Sequence, residues 1–104
     1  LDLDTRNAMA REWVDLYASV KSGRTRARLL ESLDGVTEST MKEPLLDWLG
    51  TEPNARARSE AAENLKHYRS DSDVVDALTR AAEFDPSMVV RKAANAALRG
   101  EDPS

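Results

Sequence analysis

The sequence predicts an all-α fold of about six antiparallel helices, arranged as three helix-turn-helix units. Three observations carry this. The chain matches itself at an offset of 33 residues: Glu52, Pro53, Asn54, Arg58 and Ala61 fall on Asp85, Pro86, Ser87, Arg91 and Ala94. Downstream and upstream of that block, Leu65 falls on Leu98, Lys66 on Arg99 and Leu45 on Leu78. Apolar residues recur at helical spacing, and no sustained stretch alternates with period two, so no strand is expected. Helix-starting and helix-stopping residues punctuate the chain at matching intervals.

A third copy lies at an offset of 32, where Ser22, Arg26, Leu29 and Leu33 take the places of Asn54, Arg58, Ala61 and Leu65. Trp13 and Leu16 then fall on Leu45 and Trp48. Three is about the smallest number of such units that stacks stably, because one helix pair cannot bury its own apolar faces. The units span about residues 4–35, 37–69 and 71–100 of one repeat domain covering 1–104.

The first helix, about 4–20, shows Met9, Trp13, Leu16 and Val20 along one stripe. Ser22 and Gly23 open the second, which the Asp34-Gly35 pair should close. Thr40 and Glu43 have the spacing of a capping box for the third. Pro44 is tolerated there because first-turn N–H groups lack intrahelical partners. Leu45, Leu46 and Leu49 supply its core face, with Gly50 helping to end it. Asn54 caps the fourth, whose stripe is Ala57, Ala61, Leu65 and Tyr68. Asp71, Ser72 and Asp73 open the fifth, with Val75, Leu78 and Ala82 inward. The sixth runs from about Ser87 to Arg99, with Val90, Ala94 and Leu98 inward and Gly100 closing it; Glu101 to Ser104 should fray.

Composition narrows the function. Apolar residues make up 40% and charged residues 33%, too apolar for simple disorder. No apolar run approaches the roughly 20 residues that span a bilayer, and no signal peptide is visible, so a cytoplasmic setting without membrane contact is expected. The chain opens on Leu1 in place of Met, as expected of a segment of a longer protein or a processed product. No cysteine is present, which excludes disulfides, zinc-thiolate sites and Cys nucleophiles. The net charge of −4 is evenly spread: residues 1–52 hold 7 basic and 10 acidic side chains, residues 53–104 hold 8 and 9. A nucleic-acid binder would carry a basic footprint, so the balance argues against that role.

The run Asp85-Pro86-Ser87-Met88-Val89-Val90-Arg91-Lys92-Ala93-Ala94-Asn95-Ala96-Ala97-Leu98 resembles the D-P-x-x-V-R-x-x-A-x-x-A-L core of HEAT repeats, especially the short variety first described in phycobilisome lyases. The middle unit resembles it with Glu52 for the acid and Ala57 before Arg58; the first unit departs further, with Val20 in the acid's place and Thr25 before Arg26. The resemblance implies a short right-handed α-solenoid whose second helices line a concave face. It also implies a structural ladder in which the acid and the Arg six residues on hydrogen-bond along the stack: Glu52 with Arg58, and Asp85 with Arg91. The helix dipole favours the acid at such a turn, and the Arg fork can reach it or a neighbouring unit's acid.

Chemistry is sparse. His67 is the only histidine, and a lone His makes neither a metal site nor a triad. Asp71, Asp73 and Asp76 begin like a calcium loop, but no Gly holds the sixth place and Ala82 holds the twelfth. No cofactor motif is present. Lys21, Arg24, Arg26 and Arg28 cluster at a helix start that could hold an anion, although the repeat register claims Arg26. Trp13 and Trp48 fit inter-unit packing. The expected concave face carries Glu31 from the first unit, Ser59, Glu63 and Lys66 from the second, and Lys92, Asn95 and Arg99 from the third. Ala27, Leu30, Asp34, Ala62 and Ala96 lie between them. Such a face suits a protein or peptide of mixed charge, and serves equally as plain soluble surface. The expected function is a non-catalytic protein-interaction scaffold. An accessory domain of an enzyme, such as a bilin lyase subunit or a peptidase's helical tail, is the alternative, with a nucleic-acid-binding solenoid behind it.

Overall fold

The computed structural model describes residues 2–33 and 39–103. They form six α-helices: α1 Leu3–Ser19, α2 Gly23–Leu33, α3 Lys42–Thr51, α4 Ala55–Leu65, α5 Ser72–Phe84 and α6 Met88–Arg99. Single 3-10 turns occupy Ser39–Met41 and Lys66–Tyr68, and no strand occurs among the described residues. The expected stop at Asp34-Gly35 lies outside them. The second helices α2, α4 and α6 form one layer with α4 in the middle, while α3 lies on α4 and α5 on α6. The shortest dimension, 20 Å, is that of two helix diameters.

The same device ends α3 and α5. Glu52 and Asp85 both precede a proline, which disfavours helical backbone at that position. Each turns extended, at ψ 121° and 134°, while its N–H still bonds back to Trp48 O at 2.9 Å or Ala81 O at 3.1 Å. The helix therefore runs through Gly50 to Thr51, and the proline, not the glycine, stops it. Asn54 begins α4 as expected, its Oδ1 accepting Ala57 N–H at 3.0 Å. The Thr40–Glu43 capping box does not form. The 3-10 turn at Ser39–Met41 pushes the start of α3 on to Lys42, so Thr40 lies too early to cap it. Its hydroxyl is buried without a partner among the described residues.

The core is made of a few large side chains and many alanines. Leu30, Leu45, Leu65, Val74, Leu78 and Val90 are almost wholly buried, as are Ala57, Ala61, Ala62, Ala93, Ala94 and Ala97. Short side chains let α4 and α6 approach closely, as ridges-into-grooves packing allows. Two expected stripes are rotated. In α5, Val74 is buried and Val75 is 36% exposed, with Ala82 half-buried. In α1, Met9 and Leu16 are exposed, and the inward face is Ala10, Trp13, Val14 and Tyr17. As the end helix of its layer, α1 has neighbours on one side only. It is held there by large rings: Tyr17 stacks on Trp48 with centroids 4.1 Å apart, and Trp13 reaches Trp48 at 6.1 Å.

Gly100 closes α6 in the left-handed conformation at φ 74°, with Gly100 N–H bonding Ala97 O and Glu101 N–H bonding Ala96 O, a Schellman pattern. A Cβ at Gly100 would sit 1.5 Å from the Arg69 guanidinium. Gly100→Ala should therefore destabilise the fold by roughly 1–2 kcal/mol, read as a lower urea midpoint with unchanged slope.

Candidate functional site

The loops joining first to second helix, at 20–22, 52–54 and 85–87, all lie at one end of the stack, and a repeated clamp joins them. Arg26 reaches forward to the next unit and grips Glu52 with both arms, Nε to Oε2 at 3.0 Å and Nη2 to Oε1 at 2.8 Å. Arg58 does the same to Asp85, at 3.0 and 3.2 Å. The third arm of each Arg bonds its own unit's backbone: Arg26 Nη1 to Val20 O, Arg58 Nη1 to Glu52 O and Arg91 Nη1 to Asp85 O, at 3.0, 2.9 and 2.7 Å. The carboxylate also accepts from the capping residue two positions on, Asn54 N–H at 3.1 Å or Ser87 N–H at 2.9 Å.

The ladder thus differs from its expected pairing. Glu52 pairs with Arg26, and Arg58 with Asp85; an Arg meets its own unit's acid only through the main-chain carbonyl. The reason is reach: the Arg lies one turn into its helix, beside the carbonyl of its own loop, and its fork points along the stack. The departure at Val20 follows. Arg26 needs only a carbonyl from that position, so any residue can supply it. Arg91, at the other end of the ladder, has no carboxylate partner among the described residues.

Tyr17 completes the first rung by donating its buried hydroxyl to Glu52 Oε2. Burial alone would raise the Glu52 carboxyl, but hydrogen bonds from Arg26, Tyr17 and Asn54 N–H outweigh it and hold the group below its ordinary value. Burial, then the neighbouring Glu52, pushes the Tyr17 hydroxyl upward. Towards the opposite end of the helices, buried Asn64 donates to both Leu30 O at 2.9 Å and Glu60 O at 2.8 Å, tying α4 to α2. Beyond it, Lys42 bridges α3 to the start of α5 through Asp71 at 3.3 Å and Asp73 at 3.1 Å, which accounts for the apparent calcium-loop acids.

The second helices bound a cavity of about 330 Å³ lined by Glu31, Arg56, Ser59, Glu60, Glu63, Val89, Ala93 and Pro103. The expected site residues Glu31, Ser59 and Glu63 meet there. Ser59 is buried, its hydroxyl bonding Arg56 O at 2.7 Å. Lys66 lies beyond the end of α4 and pairs with Asp102. Lys92, Asn95 and Arg99 do not line the cavity. Lys92 and Asn95 hold on α6 the register that Ser59 and Ala62 hold on α4, where a further helix would cover them; on α6 they face solvent. Arg99 bonds Glu101 at 2.9 Å. Ala27, Leu30, Ala62 and Ala96 are buried, because they face neighbouring helices and not the groove. Within the basic cluster, Arg26 is committed to the ladder while Lys21, Arg24 and Arg28 are exposed.

Glu60 is the residue that sequence reasoning missed. It holds the register of Ala93, so a stripe of alanines hides it, yet it is 4% exposed with its carboxylate 3.2 Å from Arg56 Nε. Burial, reinforced by Glu63 and Glu31, pushes its carboxyl up to about 7 against the partial offset of Arg56.

Helix pairs stacked in two layers and tied at one end by Arg forks are the architecture of an α-solenoid. The sequence profile described as HEAT repeats matches residues 10–99, and the chain belongs to that family. No curated protein and no solved structure matches it. Among the described residues no helix is long and apolar enough to cross a membrane, and no group of three acidic or histidine side chains is placed to hold a metal ion.

Two expectations follow. Arg58→Ala strands Asp85, whose side chain is 8% exposed, and should cost about 2–4 kcal/mol, whereas Arg91→Ala loses one bond to a carbonyl and should cost about 1 kcal/mol. Chemical denaturation of the two variants side by side checks the order. Glu60 gives a pH signature. The folded chain binds that proton more tightly than the unfolded chain, whose glutamates titrate near 4.5, so this group withdraws stability as pH rises from there to about 7. Glu52 has the opposite sign, contributing above its unfolded value and losing that contribution on acidification. Glu60→Gln should accordingly gain on the order of 1 kcal/mol at about pH 8, and none near pH 4.5, in urea titrations at both values.

Proposed function

We propose that the chain is a non-catalytic scaffold that presents the concave groove of α2, α4 and α6 to a protein or peptide partner. The observation that carries this reading is the groove itself: a cavity bounded by the second helices and lined by Glu31, Glu60 and Glu63 together with apolar Val89 and Ala93. A concave cleft that brings several polar side chains together beside apolar ones can orient a bound segment. The polar residues buried deepest outside the groove, Glu52 and Asn64, are engaged in holding helices together. Membership of the HEAT-repeat family supports a role in holding other proteins.

The test is affinity capture from an extract of the source organism with wild-type protein, a Glu31→Lys/Glu63→Lys variant and an Asp76→Lys control on the exposed side of α5. A specific partner should be retained by wild type and by the control, and lost by about tenfold or more with the groove variant, as the loss of about 1.4 kcal/mol per decade requires. Equal capture by all three would remove the groove from the reading.

A further inference from the structure

The groove has features beyond its acidity. Among the described residues no group of three side chains is placed to hold a metal ion. The cation that its three carboxylates suit is one carried on a long, flexible stem. The same cavity is also lined by apolar groups, Ala93, Pro103 and Val89, a valine 52% exposed. A lysine or arginine side chain needs that pairing, since its methylenes lie along apolar surface while its charge meets carboxylate. A segment of chain already lies at this site. The Schellman turn at Gly100 carries Glu101 to Pro103 away from α6, Asp102 pairs with Lys66 at the end of α4, and Pro103 forms part of the cavity wall. The pinning pair is accessible, with the Asp102 side chain 71% exposed.

We propose that the groove receives an extended peptide bearing a lysine or arginine, whose cation enters between Glu31, Glu60 and Glu63, and that segment 101–103 competes for the same rim. This rests on the reading of the concave face as the binding surface and names the chemistry of its partner. The raised Glu60 carboxyl agrees with it, since a buried acid short of positive charge gains when a cation arrives. The charged groups acting on Glu60 are Glu31 from α2 and Arg56 and Glu63 from its own helix, and α6 brings Val89 and Ala93 to the same cavity. Arg56 is 65% exposed and so satisfies Glu60 from the solvent side only. Cation binding draws the Glu60 proton off, so affinity should fall as the pH drops below about 7.

Fluorescence anisotropy tests this with a labelled Gly-Val-Pro-Lys-Val-Gly peptide and its Glu counterpart, titrated with the full chain. The Lys peptide should bind about tenfold or more tightly than the Glu peptide, and Glu60→Gln should weaken it by roughly five- to tenfold. Asp102→Asn should strengthen it about threefold or more. That last sign is decisive, because removing a negative charge weakens a merely electrostatic attraction for a cation. Equal binding of the two peptides overturns the proposal, as does weaker binding to Asp102→Asn. Groove-dependent partner capture that survives such a result leaves the broader scaffold reading standing, and its loss ends both.

Discussion

A guanidinium that bonds a carbonyl of its own unit and a carboxylate of the next does two jobs that would otherwise need separate residues. The backbone bond fixes where the Arg can point. The two-armed bond then uses that fixed direction to set the spacing of the following helix pair. Neither part is as strong alone, since an unanchored Arg would lose rotamer freedom on pairing and a partnerless buried carboxylate would be costly. Arg26–Glu52 and Arg58–Asp85 repeat this geometry within 0.4 Å in each arm, which is why units of different sequence can share one stacking distance. The alanine faces of α4 and α6 depend on it, because short side chains gain contact only when the helices are held close.

Much of the fold was legible because its rules are local. A proline after an acid, an Asn before an alanine run and a glycine after the last arginine each dictate backbone geometry within a few residues, and α4, α5 and α6 start or stop accordingly. What was not legible depended on neighbours. The inward face of α1 is set by where Trp48 lies, so Met9 and Leu16, equally apolar, end up outside. Thr40 has the right spacing for a cap but loses its place to a 3-10 turn that no local preference announces. The ladder residues were readable by type, but which of the two acids within reach each Arg takes was not, because the reach of an Arg along a stack is a property of two units.

The candidate groove divides in the same way. Glu31, Ser59 and Glu63 follow from assuming that second helices line the concave side. Lys92, Asn95 and Arg99 follow from the same assumption, yet they stand outside the cavity, since among the described residues no helix packs on the far flank of α6. Glu52 and Glu60 show why residue type alone could not sort structure from site. Both are buried glutamates at 5% and 4% exposure. One receives Arg26, Tyr17 and a backbone N–H, and is held ionised. The other has a single Arg at its solvent edge and two acids beside it, and is pushed towards neutrality.

The placement of the clamps also has a mechanical meaning. Successive helix pairs are linked by the chain itself at the end where one unit leads into the next, between α2 and α3 and between α4 and α5. The Arg forks sit at the opposite end, where no covalent link joins one pair to another. Each pair is therefore fastened to the next on both edges, by peptide bonds on one and by ions on the other. Without the ionic edge, that end of the stack would be held by side-chain packing alone. With it, the spacing of the loops at that end is set by the length of an arginine side chain, so the two edges of the stack are gauged by different rulers, one covalent and one ionic.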